Sequence, residues 1–321
     1  MKIGTDQYNT FDTMTMDCWN DRVYYEGKEF PAGQFAAEIL NFAGVIHDPL
    51  LERITVLTAL VDDLSTAEKS KRHDIAAQLK PLLHDTVSWL YTCPPFCYCE
   101  SQGAYEDLEH ALSEERLDRD YEEGEAHLPY LALSSCEPIL RILVAIYNFC
   151  LLIRAFEKKY LRRAKRRNAD AFAKAAHECF DEDDSFLILL EQMPFGGVEE
   201  FFSYPRVITG FNYFQDENDE EKWKTAQRVI CKRAIDFYVF DLMNGLHHGH
   251  APSQCQGCGR YFLTTNGHTP KYCDGVAPQD NRYTCRQYGA MMHQKEQNKQ
   301  HPVYRLFNTR TDTMLTEGAW L

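Results

Sequence analysis

Apolar positions recur at three- and four-residue spacing in three stretches after Gly33: FAAEILNFA, DPLLERITVLTALVDDL and KRHDIAAQLKPLLHDTVSWLY. That spacing turns one face of a helix toward a core, so each stretch predicts an amphipathic helix. Ahead of them, RVYYEGKEF places two short β-prone runs about Glu26-Gly27 and predicts a hairpin at about 22–30. The prolines of YTCPPFCYCES end the third helix, because proline lacks an amide donor and clashes with the preceding turn.

The next helix is expected to start at Ser134. Glu137 lies three residues on, as in a capping box, and Pro138 falls in an early turn that tolerates it. This helix runs through ILRILVAIYNFCLLI and leaves as RAFEKKYLRRAKRR. Farther on, DEDDSFLILLEQM predicts an acid-capped helix and PFGGVEEFFSYPRVITGF a loop. EEKWKTAQRVICKRAIDFYVFDLMNGL predicts another long helix, with Asp219-Glu220 suiting its N-terminal dipole and Gly245 marking its end. With no repeat or low-complexity linker in the pattern, the expected fold class is mainly α. It comprises a helical N-terminal body over residues 1–250, a small treble-clef-like zinc finger of β-hairpin plus helix over 251–310, and a tail over 311–321.

Composition narrows the class. At 44% hydrophobic residues the 321-residue chain can fill a core, which excludes wholesale disorder. The start, MKIGTDQYNT, has neither a basic nor an apolar leader region, and the longest apolar run, ILRILVAIYNFCLLI, carries Arg141 and Asn148. It reads as a buried helix, and no membrane partner is expected. Twelve cysteines without an export signal suit a reducing compartment, so the expected localisation is cytoplasmic.

Charge is unevenly spread. The whole chain carries −14, yet residues 251–310 hold eight Lys/Arg against three acids, a net of +5, which leaves −17 on residues 1–250 once the two acids of the tail are counted. A second basic run, eight Lys/Arg between Arg154 and Arg167, puts Arg154, Lys158, Arg162 and Arg166 on one helical stripe. Residues 100–125, with eleven Asp/Glu against Arg116 and Arg119, lie in the same domain. Intramolecular pairing or a solvated face is therefore favoured over a nucleic-acid surface for that run.

The stretch CQGCGRYFLTTNGHTPKYCDGVAPQDNRYTCRQYGA gathers Cys255, Cys258, Cys273 and Cys285, separated by 2, 14 and 11 residues. Two thiolates with two residues between them grip a metal from one tight turn, and Gly259 gives the backbone freedom to complete it. YFLTT and TPKYC are expected to pair as a hairpin about Asn266-Gly267, returning Cys273 to the knuckle. After the loop DGVAPQDNRYT, Cys285 opens the helix CRQYGAMMHQKEQNKQ. Four thiolates leave no open position, so the expected cofactor is a structural zinc ion. A redox CxxC fits less well, since no strand-to-helix pattern surrounds the motif and a shared metal leaves no thiolate free to attack.

The segments CQGCGRYFL, PKYCDG and TCRQYGA, following a helix that ends in LHHGHAP, resemble a family of uncharacterised bacterial proteins, mostly from Firmicutes, with a helical N-terminal region and a C-terminal zinc-finger-like segment. They are distantly similar to the CGNR-type zinc finger of transcription regulators. The sequence departs from that finger in having eleven residues between its last two cysteines and no CGNR tetrad. The resemblance implies a fold and zinc, without an activity.

Other candidates are weaker. His268 is an alternative ligand at the hairpin tip. His247, His248 and His250 crowd one loop as surface residues or a second weak site, and Cys93, Cys97 and Cys99 offer three thiols without an evident fourth ligand. HExxH, phosphate loops, GxGxxG and GxSxG are missing, PFGGVEEFF lacks the lysine of a phosphate loop, and Asp183-Asp184 suits a helix start, so the expectation leans away from an enzyme. Two function classes lead. In one the finger is a nucleic-acid-binding regulator contacting DNA or RNA phosphates through Arg282, Arg286, Lys295, Lys299, Arg305 and Arg310. In the other, zinc stabilises a module that docks a protein partner or a second copy.

Overall fold

A computed structural model of the chain describes residues 13–43, 49–99, 110, 112–113, 117, 130–191, 206–216, 219–265, 267, 270–303, 306–307, 309–311 and 313. Strands β1 (Met14–Trp19), β2 (Arg22–Tyr25) and β3 (Lys28–Pro31) form a meander. Glu26 and Gly27 close its second turn at φ 47° and 70°, the left-handed pair that matches a tight hairpin to strand twist.

Two more strands, β4 (Val207–Asp216) and β5 (Asp219–Cys231), complete one antiparallel sheet in the order β3-β2-β1-β5-β4. This sheet overturns the expectation of a mainly α chain with a helical N-terminal body. The expected loop through Val207–Phe211 is strand, and the long helix expected from Glu220 is strand as far as Cys231. Asp219-Glu220 therefore opens a strand and caps no helix. Glu, Lys, Ala and Gln give 219–231 a helical composition, but β1 decides its conformation from some two hundred residues away. Met14 lies opposite Cys231 and Met16 opposite Val229, and all four are fully buried on one face. On the other face Asp17 lies opposite Arg228 and accepts from its Nε at 2.9 Å and Nη2 at 2.8 Å, while Asn212 of β4 donates to it at 2.8 Å. Paired charges can be buried in this way because each donor and acceptor is matched.

Helices α1 (Gln34–Ile39), α2 (Pro49–Thr66) and α3 (Lys69–Leu90) follow the meander. Then come α4 (Tyr130–Lys159), α5 (Ala169–Phe180), α6 (Asp184–Glu191) and α7 (Ala234–His247). The start expected for α4 at Ser134 is displaced: the helix has begun by Tyr130, so Pro138 sits inside it. By length and composition the Cys136–Arg163 stretch could cross a membrane, yet 61% of its most apolar window is buried, as in a core helix. Phe149 meets Tyr238 of α7 at 5.3 Å between ring centroids, and the Tyr238 hydroxyl donates to the Pro94 carbonyl at 2.6 Å.

Because α4 ends at Lys159, the stripe expected through Arg162 and Arg166 is broken. Several of its cations serve the interior. Arg154 donates to the Leu40 and Ala43 carbonyls just past α1, Lys159 to Asp183, and Arg162 to the buried Glu157 at 2.8 Å. The acidic segment 100–125 lies outside the described residues apart from residues 110, 112, 113 and 117.

Helix α1 has no side chain of its own to cap it. Asp241 of α7 serves instead, its two carboxylate oxygens accepting from the Gly33 and Ala36 amides at 2.9 Å each. The two backbones approach so closely that a Cβ on Gly245 would stand 2.8 Å from the Gly33 Cα. Gly33 itself, at φ 88°, holds the turn into α1.

Burial pushes the Asp241 carboxyl up to about 7, against the pull of the Ala36, Gly33 and Phe35 amides. The folded state thus binds a proton more tightly than the unfolded chain, whose reference value is 3.8. Stability from this group is full below about pH 4 and falls as pH rises toward 7. Asp241→Asn cannot ionise, so its melting temperature relative to the native chain should rise between about pH 4 and 8. Thermal scans across that window check this, and a flat difference would contradict the buried, cap-forming carboxyl.

Chain contacts divide the protein into two compact units, Met1–Ser253 with Leu263–His268, and Gln254–Phe262 with Thr269–Leu321. The sheet and helices α1 to α7 belong to the first.

Candidate metal centre

The cysteine cluster grows from three backbone turns in the second unit. In the first, Gly259 at φ 74° returns its amide to the Cys255 carbonyl at 2.9 Å, and the Gly257 amide points at the Cys255 sulfur at 3.4 Å. The turn sits between β6 (Ala251–Gln254) and β7 (Tyr261–Thr264), which pair with each other. The hairpin is thus closed about the knuckle itself, and the pairing expected between YFLTT and TPKYC is not the one formed. The tip residues Asn266 and His268 lie outside the described residues.

Cys273 arrives beside the knuckle because the Lys271 carbonyl accepts the Gln256 amide at 2.8 Å and the Cys273 amide donates to the Cys255 sulfur at 3.3 Å. A third turn follows. The segment expected as a loop folds as a second hairpin, β8 (Val276–Ala277) against β9 (Asp280–Thr284). It delivers Cys285 to the first turn of α8 (Cys285–Gln300), where its amide donates to the Gly275 carbonyl at 2.7 Å. Thr284 and Gln287 form the capping box that fixes this start: the Thr284 hydroxyl accepts the Gln287 amide at 3.2 Å, and the Gln287 side chain accepts the Thr284 amide at 2.9 Å.

The four sulfurs of Cys255, Cys258, Cys273 and Cys285 lie within 4.8 Å of one another, with Cys258 and Cys273 3.7 Å apart. Thiolates about 2.3 Å from a tetrahedral zinc ion stand about 3.8 Å from each other, so sulfurs this close could hold one shared ion. Cys255, Cys273 and Cys285 are buried and Cys258 is half-buried, with Phe262, Tyr272 and Tyr288 packed around them. Burial raises the Cys255 thiol, but the Cys273, Cys258 and Gly257 amides outweigh it and bring the pKa down to about 7. Burial and the neighbouring sulfurs push Cys273 and Cys285 the other way. Four thiolates ionise together only around a cation that offsets their repulsion.

Among the described residues this is the group whose His, Cys, Asp or Glu ligand atoms converge. The histidine loop is arranged otherwise. His250 is buried with Nδ1 3.0 Å from the Ala32 carbonyl and Nε2 3.8 Å from Asp21, while the His248 ring centroid stands 6.5 Å from that of His250. Burial first, then His247 and His250, lower the His248 pKa, so it favours the neutral form. Cys93 is buried with its thiol pushed up to about 12, Cys97 is exposed, and the Cys99 sulfur meets the Tyr25 hydroxyl at 3.1 Å. No fourth ligand joins them among the described residues.

The six basic residues fare unequally. Arg282 is held by Asp280 through bonds of 2.9 and 2.7 Å, Arg286 by Asp274 at 3.0 Å, and Lys299 stands 3.6 Å from Glu296. Lys295 and Arg310 are exposed, and Arg305 lies outside the described residues. Sequence reading missed the second hairpin and the role of Gly289, whose Cβ would come 2.4 Å from the Tyr272 ring. Pro278, between the paired Ala277 and Asp280, was the available turn signal.

The site belongs to the class of four-cysteine clusters able to hold one metal ion. A family model described as a family of unknown function (DUF6076) matches residues 203–318, which takes in β4, β5, α7 and the whole cluster. No curated protein matches the chain, and no solved structure does.

Gly289→Ala would drive a methyl into Tyr272, and overpacking of this kind costs about 1–3 kcal/mol. Competition with a chelating dye should register weaker metal retention in that variant than in Ala290→Ser one residue on. Equal retention would show that the Tyr272 contact does not support the cluster.

Proposed function

We propose that Cys255, Cys258, Cys273 and Cys285 hold one structural zinc ion, and that the ion organises a small module whose helix α8 docks a protein partner. The convergence of four sulfurs within 4.8 Å carries the first half of this reading. Thiolate ligands select zinc among the abundant divalent ions, and closed four-coordination leaves no position for a substrate. Binding of about 10–16 kcal/mol is large beside what so small a module gains from its own apolar burial.

The second half rests on α8. Its buried residues are Cys285 and Gly289, so beyond Gly289 the described helix turns no side chain into a core. Met291 and Met292 are exposed on it, and Val303, Leu306 and Phe307 are exposed after it. Exposed apolar residues close together in the chain favour a protein surface over a phosphate backbone. The nucleic-acid reading loses support because Arg282 and Arg286 are engaged by acids within the module and the rest of the chain is strongly negative. The resemblance to CGNR-type fingers therefore supports a zinc-bearing module more than it supports a regulator of transcription.

The native chain purified without chelator should contain one zinc per molecule, and Cys258→Ser should lose it while the first unit keeps its cooperative melting transition. Elemental analysis with calorimetry reads both. A photo-crosslinking residue at position 307 is expected to give discrete protein crosslinks that disappear with zinc removal. Salt-dependent binding of duplex DNA or RNA by the native chain, with no such crosslinks, would replace protein docking by the nucleic-acid reading.

A further inference from the structure

A surface cavity of about 620 Å³ opens in the first unit where α4 gives way to α5. The chain there passes from Lys159 through a single 3-10 turn, Leu161–Arg163, to the cap Asn168, whose side chain accepts the Ala171 amide at 3.0 Å. This short path sorts the basic run. Arg162 turns back to Glu157, and Arg167 is buried against Thr264 at 3.1 Å and over the Phe172 ring at 5.4 Å. Arg163, Lys165 and Arg166 face the cavity instead, and none of them has an acidic partner among the described residues.

Helix α5 supplies the opposite wall. Ala171, Lys174, Ala175 and Glu178 follow at three- and four-residue spacing and share one face. The alanines leave a low floor beside the Tyr160 ring, and Lys174 adds a cation whose acidic neighbour, Glu178, is 3.5 Å away on an exposed pair. Like charges gathered in a concavity repel one another, and they stand out on a chain of net −14.

We propose that this cavity binds a compact polyanion, a run of two or three linked phosphates free or carried on a small molecule. Its volume lies within the range of roughly 300–1,000 Å³ typical of small-ligand sites. Planar guanidinium groups match phosphate oxygens two at a time, and lysines add point charge. An extended nucleic acid fits less well, because Asp170 and Glu182, on or just after the same helix but outside the cavity lining, would oppose a longer strand. The site is independent of the cysteine cluster.

The test is titration calorimetry of the full chain with inorganic tripolyphosphate at low and moderate salt, beside a nucleoside triphosphate, orthophosphate and a short DNA duplex. Tripolyphosphate should bind one per chain and more weakly at higher salt, with orthophosphate far weaker. Arg163→Gln/Lys165→Gln/Arg166→Gln, all at exposed positions, should weaken binding by at least about tenfold with an unchanged melting temperature. Lys295→Gln/Lys299→Gln should bind as the native chain does. A nucleoside triphosphate tighter than tripolyphosphate would place the phosphates on a nucleotide; equal affinity would make them the whole ligand. The proposal is overturned if tripolyphosphate does not bind, if the triple variant binds undiminished, or if the duplex binds more tightly than tripolyphosphate and is lost in that variant. Should the triple variant not fold, Lys174→Gln and the rise in native melting temperature with tripolyphosphate read the same outcome.

Discussion

Four sulfurs that approach within 4.8 Å of one another cannot all be thiolates unless a cation sits among them. The backbone of the second unit answers to that constraint at each step. Gly259 turns, Lys271 returns beside Gln256, and the hairpin β8–β9 ends where the Thr284 capping box begins α8. Each device aims one cysteine inward. Few apolar residues do the same work, since the buried cluster consists of three of the cysteines and Ala277.

The first unit is organised by a different economy of charge. Asp17 with Arg228 joins β1 to β5, and Asp241 caps α1 from α7, while Asp236 accepts from Arg233 at 2.7 Å at the start of that helix. A carboxylate is buried in each case, and in each case its oxygens meet donors from segments distant or adjacent in the chain.

The cluster was legible in the sequence because metal ligation depends on local spacing: a CxxC with Gly259 behind it, and a cysteine at a helix start. The Glu26-Gly27 turn was legible for the same reason, the left-handed turn being encoded in two residues. The large sheet was not. Its central pairing joins Met14–Cys18 to Gln227–Cys231, and 219–231 has the Glu, Lys and Ala content of a helix, so only the distant partner strand reveals its period of two. Ser134 misled in the opposite direction, since a capping pattern inside a helix costs little once α4 packs along its apolar face. The hairpin about the knuckle was misassigned because TPKYC offered a β-prone run at a suitable distance while β6, APSQ, did not look like a strand.

The most direct measurement is X-ray absorption at the zinc edge of the native, chelator-free protein. The expected spectrum is one zinc per chain with four sulfur scatterers at about 2.3 Å and none of nitrogen or oxygen. Absence of zinc, or a first shell containing light atoms in place of one or more sulfurs, would contradict a closed four-thiolate centre as the organiser of the second unit.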